Sequence, residues 1–351
     1  MPSERALLIA AGGGIGDTLL ATVVARALRS RFAHVDALVL PAHRDVVERV
    51  PDIERVFSFE GSALELARRI RRERFAAAVI TWATLMTAEV PFVARIPVRV
   101  GQARRLYSAL FTERVVVRSE RGDRTTHWTQ ILLDYPRAIG CDTSDARPRF
   151  VPTAADERDA AALLRVHGIS GGFALLHPTR GLSAQRSRWP TAGFVSLAGA
   201  LRARERLPLL VTGAPDDASI AQTIAAAADR SVTSIAGATT IGVFAALARR
   251  AAYVVAMDSG PMHVAAATDA PTVGIFALQS DEPDRWAPLG AHTAVLRATY
   301  PCPPGHRKET CPDFACVRAL DIDAILAAVD RVRARACAEA ARRRRSAKPD
   351  I

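Results

Sequence analysis

The sequence predicts an α/β protein built from two Rossmann-like, doubly wound domains, and three observations carry that expectation. The chain has 351 residues, long for one α/β domain and sufficient for two that each bury a core. Short apolar runs alternate with amphipathic stretches in both halves, the pattern of a parallel sheet wrapped by helices. Between the halves lies Asp142–Pro152, rich in Asp, Pro, Thr and Arg and without any period. The expected boundaries are residues 1–150, 151–330 and a basic tail at 331–351.

In the first half, strands are expected at Ala6–Ala11, Val35–Leu40, Val56–Phe59, Ala77–Thr81 and Val115–Val117. Gly12–Gly16 reads as a turn, with helices at Thr18–Phe32, Ala63–Arg72 and Trp128–Ile139. Pro91, Pro97 and the basic Arg99–Arg105 interrupt the scheme and suggest a loop-rich region. A helix at Asp156–His167 leads into the second half. There the strands fall at Ala174–His177, Pro208–Thr212, Val232–Ala236, Ala252–Ala256 and Thr272–Phe276. The helices between them are Ala192–Arg204, Asp217–Ala228, Ile241–Arg249 and Met262–Ala267, and a last helix spans Ile322–Ala338.

A hydrophobic share of 49% with 24% charged residues excludes a disordered or fibrous class. The net charge of +11 is almost all arginine, since Lys308 and Lys348 are the only lysines. Arg342–Arg345 form a run after Arg331, Arg333 and Arg335, which suits an anionic membrane surface, a nucleic acid or a plain solvated end. Glu4 and Arg5 precede an apolar run that ends at Gly12 without a cleavage site, and the longest uncharged stretch, Phe75–Ala88, has 14 residues. A cytoplasmic, at most peripheral, protein is expected. Cys302, Cys311 and Cys316, with His306 among them, lack the paired C-x-x-C spacing of structural zinc, and no metal site is expected.

Four segments carry chemistry. In Gly12-Gly13-Gly14-Ile15-Gly16-Asp17, the glycines permit a tight strand-to-helix turn, but Asp17 stands where a dinucleotide fingerprint needs its third glycine. Asp17 fits a helix cap and equally a general base at the carboxyl edge of a sheet. In Asp258-Ser259-Gly260-Pro261-Met262-His263, Ser259 can cap, Pro261 suits a first turn, and His263 sits at a positive helix end unless an anion lies beside it. Free N–H groups there suit phosphate. His177-Pro178-Thr179-Arg180, followed by Arg186-Ser187-Arg188-Trp189-Pro190, brings cations to the first strand of the second half. Asp216 and Asp217 start a helix as caps, with a ribose hydroxyl as a further partner.

Taken together and in this order, these segments resemble the heptosyltransferase family, glycosyltransferase family nine, of the GT-B fold. The D-S/T-G-x-x-H block is the specific element; Arg99-Val100-Gly101, His127, Ala236-Gly237 and the cysteine-bearing end are also similar. The resemblance implies two domains facing each other across a nucleotide-sugar cleft. It also implies inverting, metal-independent transfer of heptose from ADP-heptose to a lipopolysaccharide core, with no cofactor. Asp17 is then the base, with Gly13, Gly14, Gly16 and Arg99 on the acceptor side. Thr179, Arg180, Ser259, Gly260 and His263 surround the diphosphate, and Asp217, Thr239 and Asp258 lie nearer the nucleoside. Where the family often has a lysine, two residues before Trp189, this chain has Ser187, so Arg186 or Arg188 supplies that charge. The implied partners are a nucleotide-diphosphate sugar, an anionic glycolipid and the cytoplasmic face of the inner membrane, not nucleic acid.

Three rivals remain. A nucleotide-sugar epimerase of the same shape would turn over without an acceptor. A dinucleotide oxidoreductase is disfavoured by Asp17, and a nucleic-acid binder rests on charge alone.

Overall fold

The computed structural model describes residues 4–179, 189–228, 230–303, 311 and 313–346. The chain divides into two compact units, Met1–Val151 and Pro152–Ile351.

The first unit holds strands β1 (Arg5–Ala10), β2 (His34–Val39), β3 (Val56–Ser58), β4 (Ala77–Ile80), β5 (Val98–Gln102) and β6 (Glu113–Val115). Helices α1 (Ile15–Ala21), α2 (Val23–Leu28), α3 (Arg44–Val47), α4 (Ala63–Arg72), α5 (Leu85–Val93) and α6 (Trp128–Arg137) lie between and after them. All pairings are parallel, in the order β3-β2-β1-β4-β5-β6. Strands buried on both faces read as continuous apolar runs, and Ala6–Ala10 and Ala77–Ile80 do so here. The core packs Leu7, Ile9 and Ile80 against Leu66 and Ile70 of α4 and Ala88 and Val90 of α5.

The second unit opens with α7 (Ala154–Val166) and then runs β7 (Ala174–His177), α8 (Thr191–Glu205), β8 (Leu209–Val211), α9 (Ala218–Ala228) and β9 (Val232–Ser234). After these come α10 (Ile241–Arg250), β10 (Val254–Met257), α11 (Gly260–Ala267), β11 (Thr272–Phe276), α12 (Pro283–Trp286), β12 (Thr293–Arg297) and α13 (Ile322–Ser346). Its sheet is also parallel, in the order β12-β11-β10-β7-β8-β9. Counted from β7, this is the first sheet's order read from the other edge.

In both sheets the first strand lies between the second and the fourth. Chain leaving the first strand turns one way and chain leaving the fourth turns the other. Their loops therefore part at the carboxyl edge and leave a crevice, the position where open α/β sheets hold ligands. That crevice lies between β1 and β4 in one unit and between β7 and β10 in the other.

Several elements depart from expectation. The single helix over Thr18–Phe32 is two, α1 and α2, because the Thr22 hydroxyl donates back to the Leu19 carbonyl at 2.7 Å and loosens the turn. Arg99–Arg105 is not all loop, since Val98–Gln102 forms β5. Gly101 there lies under Phe111, where a Cβ would come within 2.3 Å of the ring. The sequence pattern also misses the edge strand β12. The last helix does not stop at Ala338 but continues to Ser346, with Arg343 paired to Glu339 one turn back at 2.5 Å. Among the described residues no helix is long and apolar enough to cross a membrane.

Candidate functional site

In the first unit, β1 ends at Ala10 and the chain turns through Gly12–Gly14 into α1. Gly13 has φ +69°, and a Cβ there would sit 2.8 Å from the Asp17 Cβ, so only glycine fits without strain. Asp17 Oδ2 accepts the Gly14 N–H at 2.8 Å, which is the capping role. Its Oδ1 makes no hydrogen bond among the described residues, and the side chain is half-buried. One oxygen fixes the carboxylate and the other stays available, so capping and catalysis are compatible. Asp17 lines a small pocket with Thr18, Thr81, Trp82 and Trp128. Behind it, the Thr18 hydroxyl lies 2.7 Å from His43 Nδ1. Burial holds the His43 imidazole below its usual pKa, and the Asp17 charge pulls it partly back.

Arg99 is not brought to this pocket. The register aligns it with Ala78 and Leu7, three residues short of the Ala10 end of β1. Its Nε donates to the Leu110 carbonyl at 2.8 Å and its Nη1 to that of Ile96 at 2.6 Å, while its plane lies over Phe92. Burial lowers its pKa. Gly16 lies within the first turn of α1.

In the second unit, β7 ends at His177, which is buried beside Thr212, Thr179 and the ring of Phe244. Burial drives its pKa down to about 4, so the ring is neutral at physiological pH. The Thr179 hydroxyl donates to Asp217 Oδ2 at 2.9 Å, which leaves its oxygen to accept from His177 Nε2 at 3.3 Å. His177 Nδ1 is then the acceptor for the Thr212 hydroxyl, 2.9 Å away. Asp217 Oδ2 also accepts the Ala214 N–H at 3.1 Å, so the capping reading of Asp217 stands beside its hold on Thr179. Thr239 is on the loop after β9, tied to the β8 loop by Gly237 N–H donating to the Gly213 carbonyl at 2.9 Å.

Across the same crevice, β10 ends at Met257 and α11 starts at Gly260. Ser259 occupies the cap position, but its hydroxyl donates to the Met257 carbonyl at 2.9 Å instead of accepting from the helix. The start of α11 thus has no side-chain cap; Pro261 carries no N–H and the Met262 N–H donates to the Ser259 carbonyl at 3.2 Å, which leaves the Gly260 N–H for an anion. Asp258 is half-buried between β10 and the helix, and His263 is buried within α11. Thr179 and the Asp258–His263 block therefore flank one crevice. Arg180, Arg186, Ser187 and Arg188 lie outside the described residues. Trp189 is buried edge-to-face on Phe194 at 4.9 Å.

No group of three or more His, Cys, Asp or Glu side chains among the described residues is arranged to hold a metal ion. Cys302 packs on the core that contains Cys316; burial and the neighbouring Cys316 and Cys311 push its thiol pKa up. His306 lies outside the described residues.

The sequence profile of Glycosyltransferase family 9 (heptosyltransferase) matches residues 63–313. The chain belongs to that family. Among family 9 relatives, Lipopolysaccharide heptosyltransferase 2 of Salmonella typhimurium is 24% identical over 308 residues, 83% of this chain and 87% of the relative. A family 9 glycosyl transferase structure from Veillonella parvula superposes with a TM-score of 0.82 at 19% identity, covering 94% of this chain and 98% of that one. The E. coli ADP-heptose LPS heptosyltransferase II structure gives 0.74 at 20% identity, covering 93% and 98%. This family 9 chain is thus a glycosyltransferase with the GT-B fold, as the resemblance implied.

Sequence reasoning missed His43, the supporting role of His177, and both pocket tryptophans. Each stands just after a strand, at the carboxyl edge of a parallel sheet, or opens a helix, and that placement was the available signal.

Proposed function

We propose that the chain moves heptose from ADP-heptose to a lipopolysaccharide-core acceptor with inversion, in a single in-line displacement. The observation that carries the reading is Asp17, fixed by one oxygen and open at the other. In this reading an acceptor hydroxyl gives its proton to Asp17. The oxygen attacks the anomeric carbon, the bond to the diphosphate breaks, and ADP leaves with the electron pair. The uncapped start of α11, with Thr179, Ser259, Gly260 and His263, receives the diphosphate. Arg180 with Arg186 or Arg188 adds positive charge, and Asp217, Thr239 and Asp258 serve the nucleoside. No metal or cofactor enters the scheme. The names of the relatives support the choice of sugar and acceptor.

The acceptor is an anionic glycolipid, so the reading extends to peripheral contact with the cytoplasmic face of the inner membrane. An unusual helix supports it. Leu85, Met86, Phe92 and Val93 share one face of α5 and are 40–55% exposed, and Leu106 nearby is fully exposed. Arg95, Arg104 and Arg105 are exposed around them, the mixture that suits an anionic lipid interface. The basic residues of α13 add to the attraction.

A nucleotide panel tests the donor. ADP should raise the melting temperature most among nucleoside diphosphates, by mass action on the folded state. A larger shift with UDP or GDP overturns the heptose assignment. ADP release that needs no acceptor points to the epimerase class.

A further inference from the structure

We propose that Trp82 is the platform on which the acceptor sugar stacks, a specificity-determining residue for the transfer. The proposal rests on the reading of Asp17 as the base that faces the acceptor. Trp82 is the second residue past β4, so it enters the same crevice as the turn after β1. Its loop is pinned at both ends. Thr81 donates its N–H to the Ile9 carbonyl at 3.1 Å, and the Thr87 hydroxyl donates to the Trp82 carbonyl at 3.1 Å. The indole lies against Gly12, where an added Cβ would come within 2.1 Å of the ring. The ring is thus held in place by backbone, yet it remains 42% exposed.

A large aromatic held this rigidly and left open is unusual unless something covers it. The neighbours indicate what. Trp82 lines one pocket with Asp17 and Trp128, so two of the chain's four tryptophans flank the proposed base. A pyranose has an apolar face of C–H groups and a rim of hydroxyls. An indole takes the face, and a carboxylate beside it takes a proton from the rim, the mixture of aromatic walls and few polar groups that ligand pockets use. α5, with its outward apolar face, begins three residues later, on the side where a lipid-borne acceptor would arrive in the proposed function.

The test uses the full chain, ADP-heptose and a deacylated lipopolysaccharide-core oligosaccharide that lacks its outer heptose. Trp82→Ala should raise the acceptor KM about tenfold, the size of one lost aromatic contact, with kcat within about threefold and ADP affinity unchanged. Trp82→Phe should restore most of the loss. The assignment is overturned if Trp82→Ala leaves the acceptor KM unchanged. It is equally overturned if kcat collapses at constant KM, since Trp82 then only props the turn that carries Asp17. If the native chain transfers to this acceptor but both variants match it, Trp82 fails and the transferase reading stands. If the native chain neither binds ADP nor transfers, the reading itself fails and takes the Trp82 assignment with it.

Discussion

At the β1–β4 edge of the first unit stand a carboxylate, two threonine hydroxyls and two indoles. At the β7–β10 edge of the second stand a neutral imidazole, a threonine held by it, and a helix start whose cap side chain is turned away. The strand order beneath them is the same. The sheet therefore decides where chemistry happens and the loop residues decide which chemistry. In the proposed function one edge takes a proton and the other receives negative charge.

The largest test of that division is Asp17→Asn. The amide cannot accept the proton, and transfer should fall roughly a hundred- to ten-thousand-fold. ADP binding, assigned to the other unit, should stay within about twofold in calorimetry. Retained turnover would return Asp17 to capping alone. Parallel loss of ADP binding would erase the division of labour between the two edges.

Acid should separate the units next. The folded pKa of His177 is about 4, below the ordinary value of 6.5, so the unfolded chain binds more protons between these limits. The stability linked to neutral His177 is complete above about pH 6.5 and is lost as pH falls towards 4, a contribution of roughly 3 kcal/mol at most. His43 shifts in the same direction, but the Asp17 carboxylate opposes its burial, so the first unit should respond less. Amide exchange at Leu175 and Leu176, compared with Leu8 and Ile9 between pH 7 and 4.5, measures the difference. His177→Gln should flatten the pH slope at β7; an unchanged slope assigns the acid sensitivity elsewhere.

Much of this was legible in the sequence. Strands buried on both faces announce themselves as apolar runs, so β1, β4, β7 and β11 were readable. The placement of Asp17, Thr179 and the Asp258–His263 block at sheet edges was readable because a turn or helix start must follow a strand. β5 was not, because Pro97 and Arg99 look like loop residues. Arg99 folds back on the Leu110 and Ile96 carbonyls, so its charge serves local packing and not the pocket beside Asp17. Nor was His177 legible as a support. Its neutrality depends on Thr212 and Phe244, which approach only when separate strands and helices pack. The outward apolar face of α5 was equally hidden, since an apolar stripe in a sequence does not say which side the core lies on.

The smallest effect compares two helix starts inside the second unit. The Thr240 hydroxyl accepts the Val243 N–H at 3.2 Å and caps α10, whereas Ser259 at the start of α11 bonds the Met257 carbonyl instead. Thr240→Ala should therefore cost about 1 kcal/mol in chemical denaturation, the usual loss of an N-cap. Ser259→Ala removes no cap and should cost about half of that or less. ADP affinity should show the reverse pattern, unchanged in Thr240→Ala and lowered a few-fold in Ser259→Ala. In the proposed function the diphosphate supplies the acceptor that Ser259 does not, whereas α8 also starts without a side-chain cap, so ADP affinity is the reading that singles out α11. Equal ADP affinity in both variants would make α11 an ordinary helix and remove the second unit's claim to the diphosphate.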